Sequence, residues 1–160
     1  MSALRSLTLS FDFGDTGGIP IWSMLADVPT LPTLGKLQLS RCGMNMHDYT
    51  TFVLKHVDTL KLLEVFWLRL YDGTVSDLRK FYAELSMAPR LEAFHQYALH
   101  WRDYRRCKWV RLPLHLCSAQ DRQGENEDGY VEIELWCWSI RMDSRREARS
   151  VLAELAVCLS

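Results

Sequence analysis

Nowhere in this sequence do about 18 apolar residues follow one another without a charge, which excludes a membrane-spanning helix. No secretory leader is expected either, because Asp12 and Asp15 stand where one would need an unbroken apolar core. Neither sign of charge is in excess: Lys+Arg 19 against Asp+Glu 20 leaves a net charge of -1, so no global basic field attracts nucleic acid. The five cysteines (Cys42, Cys107, Cys117, Cys137 and Cys158) contain no CxxC and are odd in number. Such usage argues against a secreted disulfide framework and for free, mostly buried thiols in a reducing compartment. These absences describe an intracellular chain, cytoplasmic or nuclear. What remains is ample material for one domain: 160 residues, 48% apolar, with a mean hydropathy of -0.12 that rules out disorder.

The apolar residues recur. Leu4, Leu7 and Leu9 form an LxxLxL pattern, repeated at Leu34, Leu37 and Leu39 with Cys42 and Met44 following. The pattern returns at Leu60, Leu63 and Val65 with Leu68 and Leu70, and more weakly at Ala88, Leu91 and Ala93. Leu7, Leu37, Leu63 and Leu91 lie 30, 26 and 28 residues apart, which is the period and pattern of a leucine-rich repeat. The intervening segments read as helices. Ile21, Trp22, Leu25 and Val28 follow Pro20, and Tyr49, Phe52, Val53, Val57 and Leu60 follow Asp48 as a cap. Val75, Leu78, Phe81, Tyr82 and Leu85 follow Thr74, with Asp77 placed for a capping box and Pro89 as a stop.

After about Leu99 the period fails. The segment Trp101–Arg111 is basic and aromatic, residues 118–129 are polar and acidic, and Tyr130–Trp138 alternates as a strand. Ser144 and Glu147 make a capping box ahead of the stripe Ala148, Val151, Leu152, Leu155 and Leu159. The expected architecture is therefore α/β: a leucine-rich-repeat solenoid of about four irregular strand–helix units over residues 1–100, with a parallel sheet on its concave side. A C-terminal cap over 101–160 follows, containing strand 130–138 and helix 143–159, in one continuous domain.

Residues 31–94, with LPTLGKLQLSRCGMN, TTFVLKHVDTLKLLEV and SDLRKFYAELSMAPRLEAF, resemble the irregular leucine-rich repeats of fungal F-box-type proteins. That resemblance, over residues 1 to about 100, implies a substrate-recognition role in cullin-based ubiquitin ligases. With Met1 three residues before Leu4, no F-box is expected ahead of the first copy, so only the repeat half of the inference carries over. The chain reads as the end of a longer one, with Leu4, Leu7 and Leu9 needing a partner or further residues to cover them.

Strand alternation then locates a partner surface. With Leu37 and Leu39 inward, Lys36, Gln38 and Ser40 face out; the same offsets give Ser6, Thr8 and Ser10, then Leu62, Glu64 and Phe66, then Arg90, Glu92 and Phe94. A Glu64–Glu92 column beside a Phe66–Phe94 column suggests an apolar-centred face for a basic protein partner. The plainer reading has Phe66 and Phe94 packing on each other or under the C-terminal segment.

Catalytic and cofactor chemistry is thin. His115 and Cys117 share a strand face but lack a second pair of metal ligands. His56 reads as a surface histidine, no Ser/His/Asp or Cys/His trio stands out, and Gly14, Gly17 and Gly18 lack the lysine of a phosphate loop. No enzyme activity, metal or cofactor is expected. The alternative function is binding of nucleic acid or another acidic partner through Arg102, Arg105, Arg106, Lys108 and Arg111, interleaved with Trp101, Tyr104 and Trp109. Against it stands the acidic stretch Asp121, Glu125, Glu127, Asp128, Glu132 and Glu134, which can pair with that run.

Overall fold

The computed structural model describes residues 4–11, 24–101, 109–113, 130–134, 137–142 and 144–159, with side chains described up to residue 99 and from 141 onward. The first strands are β1 (Ser6–Ser10), β2 (Lys36–Ser40), β3 (Gly43–Met44), β4 (Leu62–Leu70) and β5 (Ala93–Trp101). Next come β6 (Trp109–Pro113), β7 (Tyr130–Glu134) and β8 (Cys137–Met142). The helices are α1 (Met46–Leu54), α2 (Val75–Ser86) and α3 (Arg145–Cys158), besides a helical turn at 24–27. The fold is mixed α/β. One six-stranded sheet runs β1-β2-β4-β5-β8 with β3 alongside β4; β1 to β5 are parallel and β8 closes the end antiparallel to β5. A separate hairpin joins β6 to β7.

Alternation explains the core. Leu37, Leu39, Leu63, Val65 and Phe94 point inward and are almost wholly buried against Tyr49, Phe52 and Val53 of α1 and Leu78, Phe81 and Leu85 of α2. Each such side chain contributes about 1.5–3 kcal/mol by leaving water. Helix α3 lays Ala148, Leu152 and Leu155 on the same cluster, and its Arg149 donates to the Ala88 carbonyl at 3.3 Å.

The parallel strands share two local devices. At the start of β2, β4 and β5 one carbonyl accepts two successive amides. Arg5 O takes Gly35 N and Lys36 N at 2.9 and 3.0 Å, and Gly35 O takes Lys61 N and Leu62 N at 2.8 and 3.0 Å. Lys61 O takes Glu92 N and Ala93 N at 2.7 and 3.0 Å. Farther along, Arg41, Trp67 and Ala98 adopt left-handed backbone, with φ of 54°, 57° and 55°. This kink resets the alternation, so that Cys42, Leu68 and Leu99 again face the core after a three-residue step.

The register corrects the fourth repeat. Leu7, Leu37 and Leu63 align with Phe94, not with Leu91. The expected strand 130–138 is two elements: β7 pairs with β6, whereas β8 pairs with β5. Helix α1 also differs, since Asp48 lies within its first turn and does not cap it; the amide of Met46 is held instead by Asp72 Oδ1 at 2.6 Å, from beyond β4. Helix α2 starts as expected, and α3 starts at Arg145, two residues later than expected, with Ser144 as its N-cap. Thr74 and Asp77 form a reciprocal capping box, and Ser144 Oγ accepts from Glu147 N at 3.3 Å. Residues 12–23, which include Ile21, Trp22 and the glycines at 14, 17 and 18, lie outside the described residues.

Candidate functional site

The sheet face turned away from the helices is read across the strands in rows. The middle row runs Thr8, Gln38, Glu64, His95 and Arg141, set by register across β1, β2, β4, β5 and β8. Glu64 is its centre. Its Oε2 lies 2.8 Å from Lys36 Nζ and its Oε1 lies 3.3 Å from His95 Nδ1, so both carboxylate oxygens are engaged. Burial pushes the Glu64 carboxyl up, but the hydrogen bonds and charges of Lys36 and His95 outweigh it and hold the group below the usual glutamate value. The Glu64 side chain is only 16% exposed, so this ion pair is better shielded than a surface bridge.

Above this row the face is aromatic. Phe66 is half-buried and lies opposite Tyr97 in the register. Trp67 and Tyr97 are 45% and 41% exposed, and their rings meet edge-on with centroids 6.2 Å apart. Arg41, next to the β2 end, Arg69, two residues beyond Trp67, and Arg141, opposite His95 on β8, are exposed.

Of the residues expected on this face, Lys36, Gln38, Glu64 and Phe66 are there. Phe94 is not: it is 0% exposed in the core beside Tyr82, because the register places it at the inward leucine position. Arg90 and Glu92 precede β5 and belong to the rim, where Glu92 pairs with Lys61 at 3.1 Å. The predicted Glu64–Glu92 and Phe66–Phe94 columns therefore do not form; the neighbours of Glu64 and Phe66 on β5 are His95 and Tyr97. Trp67, Tyr97, His95, Arg41, Arg69 and Arg141 were missed. A signal existed for the first of these: inward residues spaced two, three and two apart, at Leu63, Val65, Leu68 and Leu70, require a slip at Trp67.

The rival basic segment is only partly described. Arg102, Arg105, Arg106 and Lys108 lie outside the described residues, as do His115, Cys117 and residues 121–128. At its end, the backbone of Arg111 stands opposite Glu132, and Trp109 opposite Glu134. Only these ends of the two oppositely charged runs lie within the described strands.

Cys42 and Cys158 are free thiols, and burial pushes Cys42 up to about 12 despite its bond to the Ser40 carbonyl at 3.1 Å. Such a thiol is a core residue and not a nucleophile. His56 is buried at 1% exposure, not at the surface as its position in the pattern suggested. Among the described residues, no group of three or more His, Cys, Asp or Glu side chains is placed to hold a metal ion. Among them, too, no helix is long and apolar enough to cross a membrane.

Comparison of the chain with protein-family models, curated proteins and solved structures finds no match.

Proposed function

We propose that the chain is a non-catalytic protein-recognition module built as an irregular leucine-rich-repeat solenoid, binding a protein partner on the open face of its parallel sheet. The observation that carries this reading is the threefold recurrence of one junction: a carbonyl shared by two amides at the strand start and a left-handed residue at its kink. Successive units joined by the same local geometry, each burying its leucines against its neighbour, are what a solenoid consists of. In such an array the strands line the binding surface, and here that surface offers an aromatic patch set among charges, the composition of a recognition hot spot. Glu64 is committed to Lys36 and His95 at 2.8 and 3.3 Å, which suits a structural and partner-orienting role better than proton transfer. In an F-box-like assembly this face would hold the substrate.

The test compares pull-downs with the intact chain and with a Phe66→Glu plus Tyr97→Glu variant whose unfolding transition matches the parent. Loss of the recovered partners supports the reading. Recovery of the same partners by the variant rejects it.

A further inference from the structure

We infer that two copies of this chain join edge to edge, β1 against β1, as an antiparallel pair about a twofold axis at Thr8. The inference goes beyond the recognition reading and stands without it. Among the described residues β1 has β2 as its strand neighbour and lies at the end of the sheet. Two hydrogen bonds fix the phase of β1. Lys36 N donates to Arg5 O at 3.0 Å and Phe11 N donates to Ser40 O at 3.2 Å, so the odd-numbered residues turn their backbone groups to β2. Successive residues of an extended strand turn their N–H and C=O to opposite edges, so Ser6, Thr8 and Ser10 direct theirs outward. The core side is incomplete at the same place. Leu7 and Leu9 are only partly buried, whereas their register partners Leu37 and Leu39 are 0% and 1% exposed.

What fits this edge is the strand itself. Ser6-Leu7-Thr8-Leu9-Ser10 reads the same in both directions. Turned antiparallel about Thr8, it sets Thr8 opposite Thr8 of the second copy and Ser6 opposite that copy's Ser10. These are the residues whose backbone groups point outward, so each pair exchanges both N–H···O bonds. Leu7 then lies opposite the second copy's Leu9 on the core side, where each covers the other. The strand also lacks the usual protections of an edge: it holds no charge, no proline and no bulge against β2. Arg5, the charged residue next to it, falls opposite Phe11 of the second copy, so like charges do not meet. A foreign strand would have to supply this match, whereas a second copy carries it already. Because one patch serves both copies, the assembly closes at two.

Light scattering on the full chain, over a concentration series up to about 100 μM, measures the assembly. The expected mass is twice the 18.7 kDa of one chain at the upper end, falling toward 18.7 kDa on dilution. Thr8→Pro removes an outward N–H that the pairing with β2 does not use, and Thr8→Lys sets two cations opposite each other. Each variant should stay at 18.7 kDa throughout, and so should Thr8→Glu. Thr8 is exposed, and an unfolding transition equal to that of the dilute parent confirms that each variant is folded. An equimolar mixture of Thr8→Lys and Thr8→Glu should recover the doubled mass, because position 8 meets itself across the axis. A parent that stays at 18.7 kDa overturns the inference. So does a dimer that survives in Thr8→Pro or Thr8→Lys, an assembly larger than two, or a mixture that fails to restore the dimer.

Discussion

Tyr82 donates its phenolic hydrogen to the side-chain oxygen of Gln96 at 2.8 Å, in a core whose buried side chains are mostly aliphatic and aromatic. Gln96 holds an inward position that Leu9, Leu39 and Val65 fill on the neighbouring strands. Helix α2 presents a hydroxyl to the Gln96 oxygen, while the Gln96 amide nitrogen is buried without a hydrogen-bond partner. Removing either partner strands the other, which costs about 1–3 kcal/mol, while replacing both by apolar groups of similar shape is nearly neutral. Tyr82→Phe should lower stability in urea unfolding, Gln96→Leu should cost less because it also removes the unpaired amide nitrogen, and the double variant should be at least as stable as either. Additive losses would show that the bond is not the reason for the pair.

The left-handed residues give a second prediction. Ala98 has a φ of 55° and is only 4% exposed, so its conformation is imposed by the strand kink it shares with Arg41 and Trp67. A β-branched side chain is at its worst in this region, and Ala98→Val should cost about 2 kcal/mol or more. Ala98→Gly should shift stability by less than about 1 kcal/mol, since relief of the backbone is offset by the freer unfolded chain. Denaturant titrations of the two variants decide it; equal effects would mean that the kink relaxes on substitution.

Much of this architecture is legible in the sequence, and the exceptions have physical causes. The LxxLxL copies at Leu34 and Leu60 locate β2 and β4 because period-two burial writes itself into residue type. The fourth copy misleads because Leu91 and Ala93 imitate the pattern just before β5 begins in earnest, while Gln96 breaks it inside the strand. The register puts Gln96 opposite the inward Val65, and tertiary packing brings the Tyr82 hydroxyl to its side-chain oxygen. Alternation at Tyr130–Trp138 likewise reveals strand character without revealing partners, so two strands in different sheets read as one. The face suffers most from this error: a three-residue shift in β5 exchanged Phe94 for Tyr97 and Glu92 for His95. The kink residues Arg41, Trp67 and Ala98 include no glycine or asparagine, so nothing in their identity announces a left-handed turn.

Two glycines should differ in a way that their surroundings dictate. At Gly43 an added Cβ would lie 2.0 Å from the Tyr71 hydroxyl, the far end of a side chain that can swing away. At Gly73 it would lie 2.5 Å from Met46 Cβ, close to the backbone, and φ is +90° besides. Gly73→Ala should therefore be the more destabilising change, with steric strain adding to about 1 kcal/mol or more of backbone cost. Thermal unfolding of the two alanine variants tests the order, and a larger loss at Gly43 would contradict it.

The pH dependence of stability should carry a contribution from His56. Its ring is buried, stacked edge-on to Phe52 at 5.2 Å, with Nδ1 2.8 Å from the Phe52 carbonyl. A carbonyl only accepts, so Nδ1 carries the hydrogen and Nε2 is the bare nitrogen, buried without a hydrogen-bond partner. Protonating Nε2 would place a charge in apolar surroundings. Burial accordingly lowers the His56 pKa from 6.5, the Phe52 carbonyl opposes this and Lys55 adds to it. The sign follows from proton counting: below the ordinary histidine value the unfolded chain takes up a proton that the folded chain resists, so stability is lost as pH falls from about 6.5 toward the lower folded value. His56→Asn keeps a donor for the Phe52 carbonyl but cannot titrate. It should be less stable than the parent near about pH 7.5 and should lose less stability on going to about pH 5, so that the two urea midpoints converge. Midpoints that fall in parallel over this range would show that the histidine is not the group responsible.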